Sequence, residues 1–209
     1  MSFPYLSSIV TVLIVTTTAN AGIPPEEQVH AVAQKLKELN PAFDGKVTSE
    51  IHNGVVTTFG LVTDHVTDIS PLRELKGLNS LVCAGSGNKT GRLVDLSPLK
   101  DLQLTTIDCG GNQVSDISPL KNMRLKVLYC YRTRVSDLSP LKDMKLTELH
   151  CYGALVSDLS PLKDMKLTAL NCVGTLVSDL TPLRDMKLES LDCTATPVSD
   201  LSALPSLVF

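Results

Sequence analysis

Hydrophobic positions recur along most of the chain with a period of 21 residues, which is too long for either a helix or a strand. The stretch VSDLSPLKDMKL occurs identically at Val135–Leu146 and at Val156–Leu167. In each unit a leucine is followed three residues later by Leu or Ile, then two residues later by cysteine and five residues later by valine. This self-similarity predicts a repeat solenoid in which every lap contributes one short strand and a returning turn.

The cysteines share one column of the repeat, two residues after the Leu or Ile that points into the coil, so they should point inward too. They form a predicted structural core ladder, made of Cys83, Cys109, Cys130, Cys151, Cys172 and Cys193. Equivalent residues of stacked parallel strands lie ~4.8 Å apart with parallel side-chain directions, whereas a disulfide needs Cβ atoms ~3.8 Å apart. We therefore expect free, buried thiols that act as small hydrophobic side chains.

The run Leu104–Leu120, LTTIDCGGNQVSDISPL, resembles the LxxLxLxxNxIxDIxPL unit of bacterial internalin-type leucine-rich repeats. Asn112 occupies that family's asparagine-ladder position, but the later laps depart from it, with Thr133, Ala154, Thr175 and Thr196. The resemblance implies an α/β leucine-rich-repeat superhelix, with a concave parallel sheet that binds other proteins and short 3₁₀ or turn segments on the convex side.

Three regions follow from the chain in order. Residues 1–21 contain a short apolar segment and end in Ala19-Asn20-Ala21, which predicts a signal peptide cleaved before Gly22. Residues 22–55 form an N-terminal cap: an amphipathic helix from about Glu26 to Leu39, then the first strand of a hairpin at Asn53-Gly54. Residues 56–209 are the predicted leucine-rich repeats. The apolar segment Ile9–Val15 has far fewer residues than the ~20 of a membrane helix, so no stable membrane span is expected after cleavage.

Each regular lap also contains Asp-(Leu/Ile)-(Ser/Thr)-Pro-Leu, and we expect the Ser or Thr to cap a short helical turn. The aspartates of this column are expected to accept backbone N–H groups rather than to bind cations. An insertion at residues 85–92 predicts a loop. The last lap lacks the proline, and no polar cap sequence follows it, which leaves end-to-end self-association open.

No constellation typical of catalysis or metal binding is evident, so we expect a protein that is not an enzyme and has no cofactor. His150 and Cys151 are neighbours on a strand and should point to opposite faces. A formal net charge of −3 provides no basic field for a phosphate backbone, which argues against nucleic-acid binding.

Binding has better support than catalysis, because residues that flank the cysteines should line the concave sheet. All tyrosines beyond the predicted signal segment fall there, on two adjacent laps. Aromatic and arginine side chains are enriched at protein interfaces. The predicted partner-binding residues are Tyr129, Tyr131, Arg132, Glu148, His150, Tyr152 and Asn171.

The sequence therefore favours an exported protein, secreted or held in the periplasm or at the cell surface, that binds a protein ligand through its concave face. Two alternatives remain open at this stage. One is an extracytoplasmic sensor or regulatory repeat domain of a longer, kinase-associated signalling protein. The other is a structural surface or assembly protein.

Overall fold

The structure is a computed structural model that describes residues 22–202 and 204. The predicted signal peptide, residues 1–21, and the last five residues lie outside the described residues. The described chain forms a solenoid whose strands make one eight-stranded sheet in the order β1 to β8. The strands are β1 Val47–His52, β2 Val55–Val62, β3 Ser80–Ala84, β4 Thr106–Asp108, β5 Val127–Tyr129, β6 Glu148–His150, β7 Ala169–Asn171 and β8 Ser190–Asp192.

The sheet is built lap by lap, as the 21-residue period predicts. β1 and β2 pair antiparallel, and every later pair is parallel and in register, so that Ile107 faces Leu128 and Leu128 faces Leu149. These central residues of β4 to β6 are fully buried, while the residues on either side of them are half-buried. One face of each strand therefore packs into the coil and the other remains accessible.

A short 3₁₀ turn follows each of the strands β2 to β7 and returns the chain on the other side of the coil. These turns are Ser70–Glu74, Ser97–Leu99, Ser118–Leu120, Ser139–Leu141, Ser160–Leu162 and Thr181–Leu183. The proline at their second position fixes φ near the helical value and loses no hydrogen bond, because the first N–H groups of a helix have no partner within it. The leucine that follows the proline is buried in every one of these turns. The predicted 3₁₀ or turn segments on the convex side are thus confirmed.

The capping of these turns differs from the sequence-based expectation. Ser118 is the first residue of its turn rather than the N-cap, and no side chain caps the turn from the residue before it. Instead, Asp116 Oδ1 accepts the Ser118 N–H at 2.7 Å, and Ser118 Oγ donates to Oδ2 at 2.9 Å. The carboxylate reaches two residues forward because a short acidic side chain can bond the backbone locally.

The same backbone bond is present in all seven aspartates of this column. Their Oδ1 atoms accept the N–H of the second following residue at 2.7–2.8 Å in Asp68, Asp95, Asp116, Asp137, Asp158, Asp179 and Asp200. This bonding gives the column a structural explanation that needs no cation.

The N-terminal end of the solenoid is covered by helix α1, Pro25–Leu39, and by β1. Val32 and Leu36 are the buried residues of α1 and belong to the same hydrophobic core as the repeats. Buried Asn40 ties the end of the helix to the first lap, since its Nδ2 donates to Leu36 O and to Asp68 O, both at 2.8 Å. The hairpin turn has Asn53 and Gly54 at φ 50° and 75°, as a type I′ turn requires.

All six cysteines are free in the structure. Cys83, Cys109, Cys130, Cys151 and Cys172 are fully buried, so that five members of the predicted core ladder lie inside the coil. Cys193 is only partly buried, since its lap is the last that the structure describes and no further described lap covers it.

Asn112 joins three laps, whereas the threonines that replace it stay within one. Its Nδ2 donates to Cys83 O at 2.7 Å and to Cys109 O of its own lap at 3.0 Å. Its Oδ1 accepts the Leu93 N–H at 3.1 Å and the Thr63 hydroxyl, one lap further back, at 2.7 Å. Thr133 Oγ1 instead donates only to Cys130 O of its own lap, at 2.6 Å. The departures from asparagine thus keep the local turn and remove the bonds between laps.

Candidate functional site

The last residue of each short strand points to the accessible face of the sheet, but its role changes from lap to lap. Asp108 and Asn171 each turn back to accept the N–H of the second following residue, at 2.9 Å from Gly110 and 3.2 Å from Val173. Tyr129 and His150 occupy the same position on β5 and β6, and aromatic rings cannot accept this bond in the same way. Two central laps therefore carry rings where their neighbours carry a turn-closing side chain.

Tyr129 and His150 stack on each other across adjacent strands. Their ring centroids are 4.6 Å apart and their planes differ by 29°. Directly opposite residues on parallel strands are about 5 Å apart, so the stack follows from the register of Tyr129 with His150. The two rings form the first half of the candidate site.

Tyr131 and Tyr152 form the second half, in the turns that directly follow the cysteines rather than in the strands themselves. Their rings are parallel within 2°, with centroids 4.8 Å apart. The Tyr131 ring also lies over Gly110 of the preceding lap, where a side-chain Cβ would come within 2.3 Å of it. Glycine at position 110 thus allows the ring to lie flat against the backbone.

Arg132 extends this stack, with its guanidinium carbon 5.3 Å from the centroid of the Tyr152 ring. Its backbone has φ 52°, in the left-handed region where the equivalent residues Gly111, Gly153 and Gly174 are glycines. A non-glycine residue in this conformation costs about 1 kcal/mol. Arginine therefore stands at a position whose backbone favours glycine.

Two carboxylates flank the rings. Glu148 Oε2 lies 3.8 Å from His150 Nε2, and Asp108 Oδ2 is 3.5 Å from the Tyr131 hydroxyl, at the limit of a hydrogen bond. Burial raises the pKa of Asp108, although the Gly110 N–H opposes this. Burial and the nearby Asp108 carboxyl raise the pKa of Tyr131 to about 12, so that this phenol is a neutral hydrogen-bond donor at physiological pH.

The structure brings six of the seven predicted partner-binding residues into one patch, which we call the tyrosine patch: Tyr129, Tyr131, Arg132, Glu148, His150 and Tyr152. All six are half-buried. The seventh, Asn171, is on the same face in the next strand and faces His150, but its side-chain oxygen closes its own turn.

Sequence reasoning left Asp108 out of the site and did not single out two exposed leucines. Asp108 is not among the predicted partner-binding residues, because its approach to Tyr131 depends on how the Tyr131 ring folds back. Leu155 and Leu176 are exposed by 48% and 58%, three and five residues beyond Tyr152 and Asn171 in their laps. The sequence contains a signal for these leucines, because the equivalent positions of other laps are Gln113, Arg134 and Pro197.

The arrangement of side chains around the tyrosine patch does not support catalysis. The Cys151 thiol is fully buried, whereas the adjacent His150 imidazole lies on the accessible face, so the two cannot act as a nucleophile and base. Within the described part of the chain, no group of three or more His, Cys, Asp or Glu side chains could hold a metal ion. In the same residues, no helix has the length and hydrophobicity that crossing a bilayer demands.

Comparison with known proteins agrees with this architecture. A family model for leucine-rich repeats (2 copies) matches residues 102–143. Internalin C2 from Listeria monocytogenes is similar in structure, with 25% identity and a TM-score of 0.59 over 85% of this chain and 89% of that chain. No curated protein gives a significant sequence match.

Two plant proteins share the fold at lower identity. The Arabidopsis receptor kinase HAESA, solved with the peptide hormone IDA and the co-receptor SERK1, has 18% identity and a TM-score of 0.64 over 87% of this chain and 36% of that chain. A plant ice-binding protein has 11% identity and a TM-score of 0.51 over 83% of this chain and 73% of that chain. The repeat pattern, the sheet and these likenesses agree that the chain has the leucine-rich-repeat fold and that its repeats are similar to those of the internalins.

Proposed function

We propose that this protein binds a protein or peptide ligand through the concave face of its sheet, with the tyrosine patch as the central contact. The observation that carries the proposal is the pair of ring stacks on two adjacent laps, with Arg132 held over Tyr152. Stacked rings are already ordered before the ligand arrives, which reduces the entropy lost on binding. Tyrosine and arginine are also the residues that most often dominate interface energetics.

The unusual backbone of Arg132 supports the same proposal. Equivalent positions use glycine or alanine, and no other described lap places a long side chain there. Backbone conformations that cost energy and have no local benefit tend to occur where a side chain serves a function. In the structurally similar receptor HAESA the fold accompanies a bound peptide hormone, which is a precedent for this class of ligand.

The test is a selection of peptides from a random display library against the wild-type protein. Peptides that bind should lose about 30-fold in affinity for the double variant Tyr129→Ala/Tyr152→Ala, because removing central aromatic contacts costs about 2 kcal/mol. The control is Ser136→Ala/Ser157→Ala, which alters exposed residues on the returning segments of two laps. Selected peptides that bind the tyrosine variant as tightly as the wild type would contradict the proposal.

A spectroscopic test needs no label. The chain has no tryptophan and four tyrosines, three of which belong to the tyrosine patch. With Tyr5→Phe in the full chain, all tyrosine emission comes from the patch. A selected peptide that binds there should change this emission, and a peptide that binds elsewhere should leave it unaltered.

We also propose that the protein is exported, since residues 1–21 have the apolar segment and the Ala19-Asn20-Ala21 ending of a cleavable signal. Its structural likeness to internalin C2 is consistent with a role at or beyond the cell surface. The intact mass of secreted protein should correspond to a chain that begins at Gly22. Secreted material that still begins at Met1 would rule out cleavage.

A further inference from the structure

A second candidate surface lies where the chain enters the sheet, between each 3₁₀ turn and the next strand. Exposed cations recur there on four consecutive laps. We call this surface the basic edge, and it consists of Lys121, Arg124, Lys126, Lys142, Lys145, Lys163, Lys166 and Lys187.

The basic edge is strongly charged for a chain that is acidic as a whole. Eight cations and four carboxylates line the same clefts, a formal excess of four positive charges, whereas the whole chain has a net charge of −3. The carboxylates are Asp143, Asp164, Asp185 and Glu189. Adjacent laps are about 5 Å apart, within the ~8 Å over which charges act at physiological salt, so their fields add.

The cations of the basic edge are not neutralised by partners within the described chain. The ion pairs of the described residues join Lys35 to Glu74, Lys46 to Asp44 and His150 to Glu148. None of them includes a member of the basic edge. No side-chain hydrogen bond of these eight residues is present among the described residues either. The fold therefore gives no reason for a cation at these positions.

The basic edge also has a shape. Three consecutive clefts, of about 590, 450 and 620 Å³, run from one lap to the next along it. Each has methionines of two neighbouring laps at its base, beginning with Met123 and Met144 and ending with Met165 and Met186. The cations line the clefts, so that the three together make a groove that runs along the solenoid axis.

The regularity of the basic edge distinguishes it from the tyrosine patch. One position of the repeat is lysine in three laps, at Lys121, Lys142 and Lys163. The position three residues later is a cation in all four laps, at Arg124, Lys145, Lys166 and Lys187. On the sheet face the corresponding column is instead Tyr129, His150, Asn171 and Asp192. A surface that repeats a charge at a fixed spacing suits a ligand whose own charges repeat, whereas a varied surface suits a ligand of varied sequence.

We propose that the basic edge binds a linear polyanion, a polymer whose phosphate or sulfate groups lie along the groove. Lysine is a mobile point charge that can pair with such groups without strict geometry. An anionic membrane suits the surface less well. Met165 and Met186 are only 7% exposed, and the exposed large hydrophobic residues of the described chain all lie elsewhere, so no side chain is placed to insert among lipids.

The experiment measures binding of the full chain to long-chain polyphosphate and to heparin, which separates phosphate from sulfate polymers, as a function of salt. Lys145→Glu/Lys166→Glu/Lys187→Glu should weaken binding by about tenfold or more and make the dependence of log Kd on log salt shallower by about two, since each contact releases counterions. The neutral variant Lys145→Gln/Lys166→Gln/Lys187→Gln should give an intermediate loss. Thermal melts of each variant establish that it is folded.

The matched control reverses three exposed cations outside the basic edge, Lys89→Glu/Arg92→Glu/Arg134→Glu, for the same change in net charge. This variant should bind close to wild type. Equal losses in the two triple variants would overturn the proposal, because net charge alone would then explain binding. Wild-type protein that binds neither polymer at low salt would overturn it too, as would binding only to vesicles that contain phosphatidylglycerol.

Discussion

The lap of β3 and the last described lap, that of β8, contain the same residue types in the same columns, yet they are covered differently. Leu81 and Cys83 of β3 are fully buried between β2 and β4. Their equivalents on β8, Leu191 and Cys193, are only partly buried, since β8 pairs with β7 alone among the described strands. The comparison shows that a leucine-rich repeat cannot bury its own core. Each lap depends on a neighbour on both sides, or on a cap such as α1 and β1.

The largest expected contrast between these laps is in thiol reactivity. Burial raises the pKa of Cys109 and Cys172 to about 12, and it raises that of Cys193 as well. A buried thiol reacts only after local opening, and an opening that costs about 4 kcal/mol slows the reaction roughly a thousandfold. We therefore expect Cys193 to react first with a disulfide reagent in the native protein, and the other five much more slowly.

After denaturation without reductant, all six thiols should titrate. Fewer than about four would show that disulfides form in spite of the parallel stacking. A native protein in which Cys151 reacts as fast as Cys193 would remove the distinction between inner and last laps.

Truncating a leucine to alanine should cost more free energy of unfolding in an inner lap than in the last described lap. Leu149→Ala, in the middle of β6, should lower the free energy of unfolding by about 3 kcal/mol, since it removes a fully buried side chain and leaves a cavity. Leu191→Ala should lower it by about 1 kcal/mol, because part of that side chain is already in water. Urea titrations of both variants measure the difference, and equal losses would mean that β8 is covered as completely as β6.

The cap can be tested at a polar residue. Asn40→Ala removes an amide that bonds the end of α1 to the first lap. The part-buried Asp68 carbonyl loses its Nδ2 donor, and the Thr67 and Asp68 N–H groups lose their Oδ1 acceptor. We expect a loss of about 2 kcal/mol, in the range for a buried group left unsatisfied. The control Gln28→Ala alters a mainly exposed hydrogen bond to Ile23 O and should have little effect. Comparable melting temperatures for the two variants would contradict a role for Asn40 in holding the cap.

The bonds between laps should contribute less. Asn112→Thr keeps a hydroxyl that can bond within the lap, as Thr133 does, but it removes the bonds to Cys83 O, Leu93 N and Thr63 Oγ1. We expect a loss of about 1.5 kcal/mol in the free energy of unfolding from these three inter-lap bonds. Thr175→Ala, which removes only a bond to Cys172 O of its own lap, should lose less in the same chemical denaturation. A larger loss for Thr175→Ala would reverse this order.

The smallest expected effect is a dependence on pH. Acceptance of the following serine N–H lowers the pKa of Asp116 and of Asp158 below the usual aspartate range. A lowered carboxyl pKa stabilises the fold above the unfolded pKa of about 3.9, and this stabilisation is lost as the pH falls through the folded value. The melting temperature should therefore be steady near neutrality and fall below about pH 4. Asp116→Asn/Asp158→Asn should reduce this fall, and an unchanged pH profile would contradict it.

Much of the fold was predictable because the same pattern of residues recurs in lap after lap. The period, the inward cysteine column, the 3₁₀ turns and the Asn53-Gly54 hairpin all follow from residues whose local preferences agree with their place in the coil. The N-cap role predicted for Ser118 was wrong, whereas the prediction that Asp116 accepts a backbone N–H is confirmed. Both residues are good caps, and the geometry of the turn decides between them.

The site was predictable only in outline. Alternation along a strand placed Tyr129 and His150 on the accessible face, but it could not show that Tyr131 folds back over Gly110 toward Asp108. It also could not show that Arg132 adopts a left-handed backbone and lies over Tyr152. These contacts join residues 20 or more positions apart, and side-chain rotations decide them.

The sequence by itself determined the lap, because a 21-residue period of buried positions has only one way to stack its strands and hide its leucines. Tertiary structure alone decided how completely each lap is covered, which rings meet, and which cations share a groove. The physical reason is that burial and side-chain contacts arise between neighbouring laps, whereas the sequence of one repeat unit determines only the local structure of that unit.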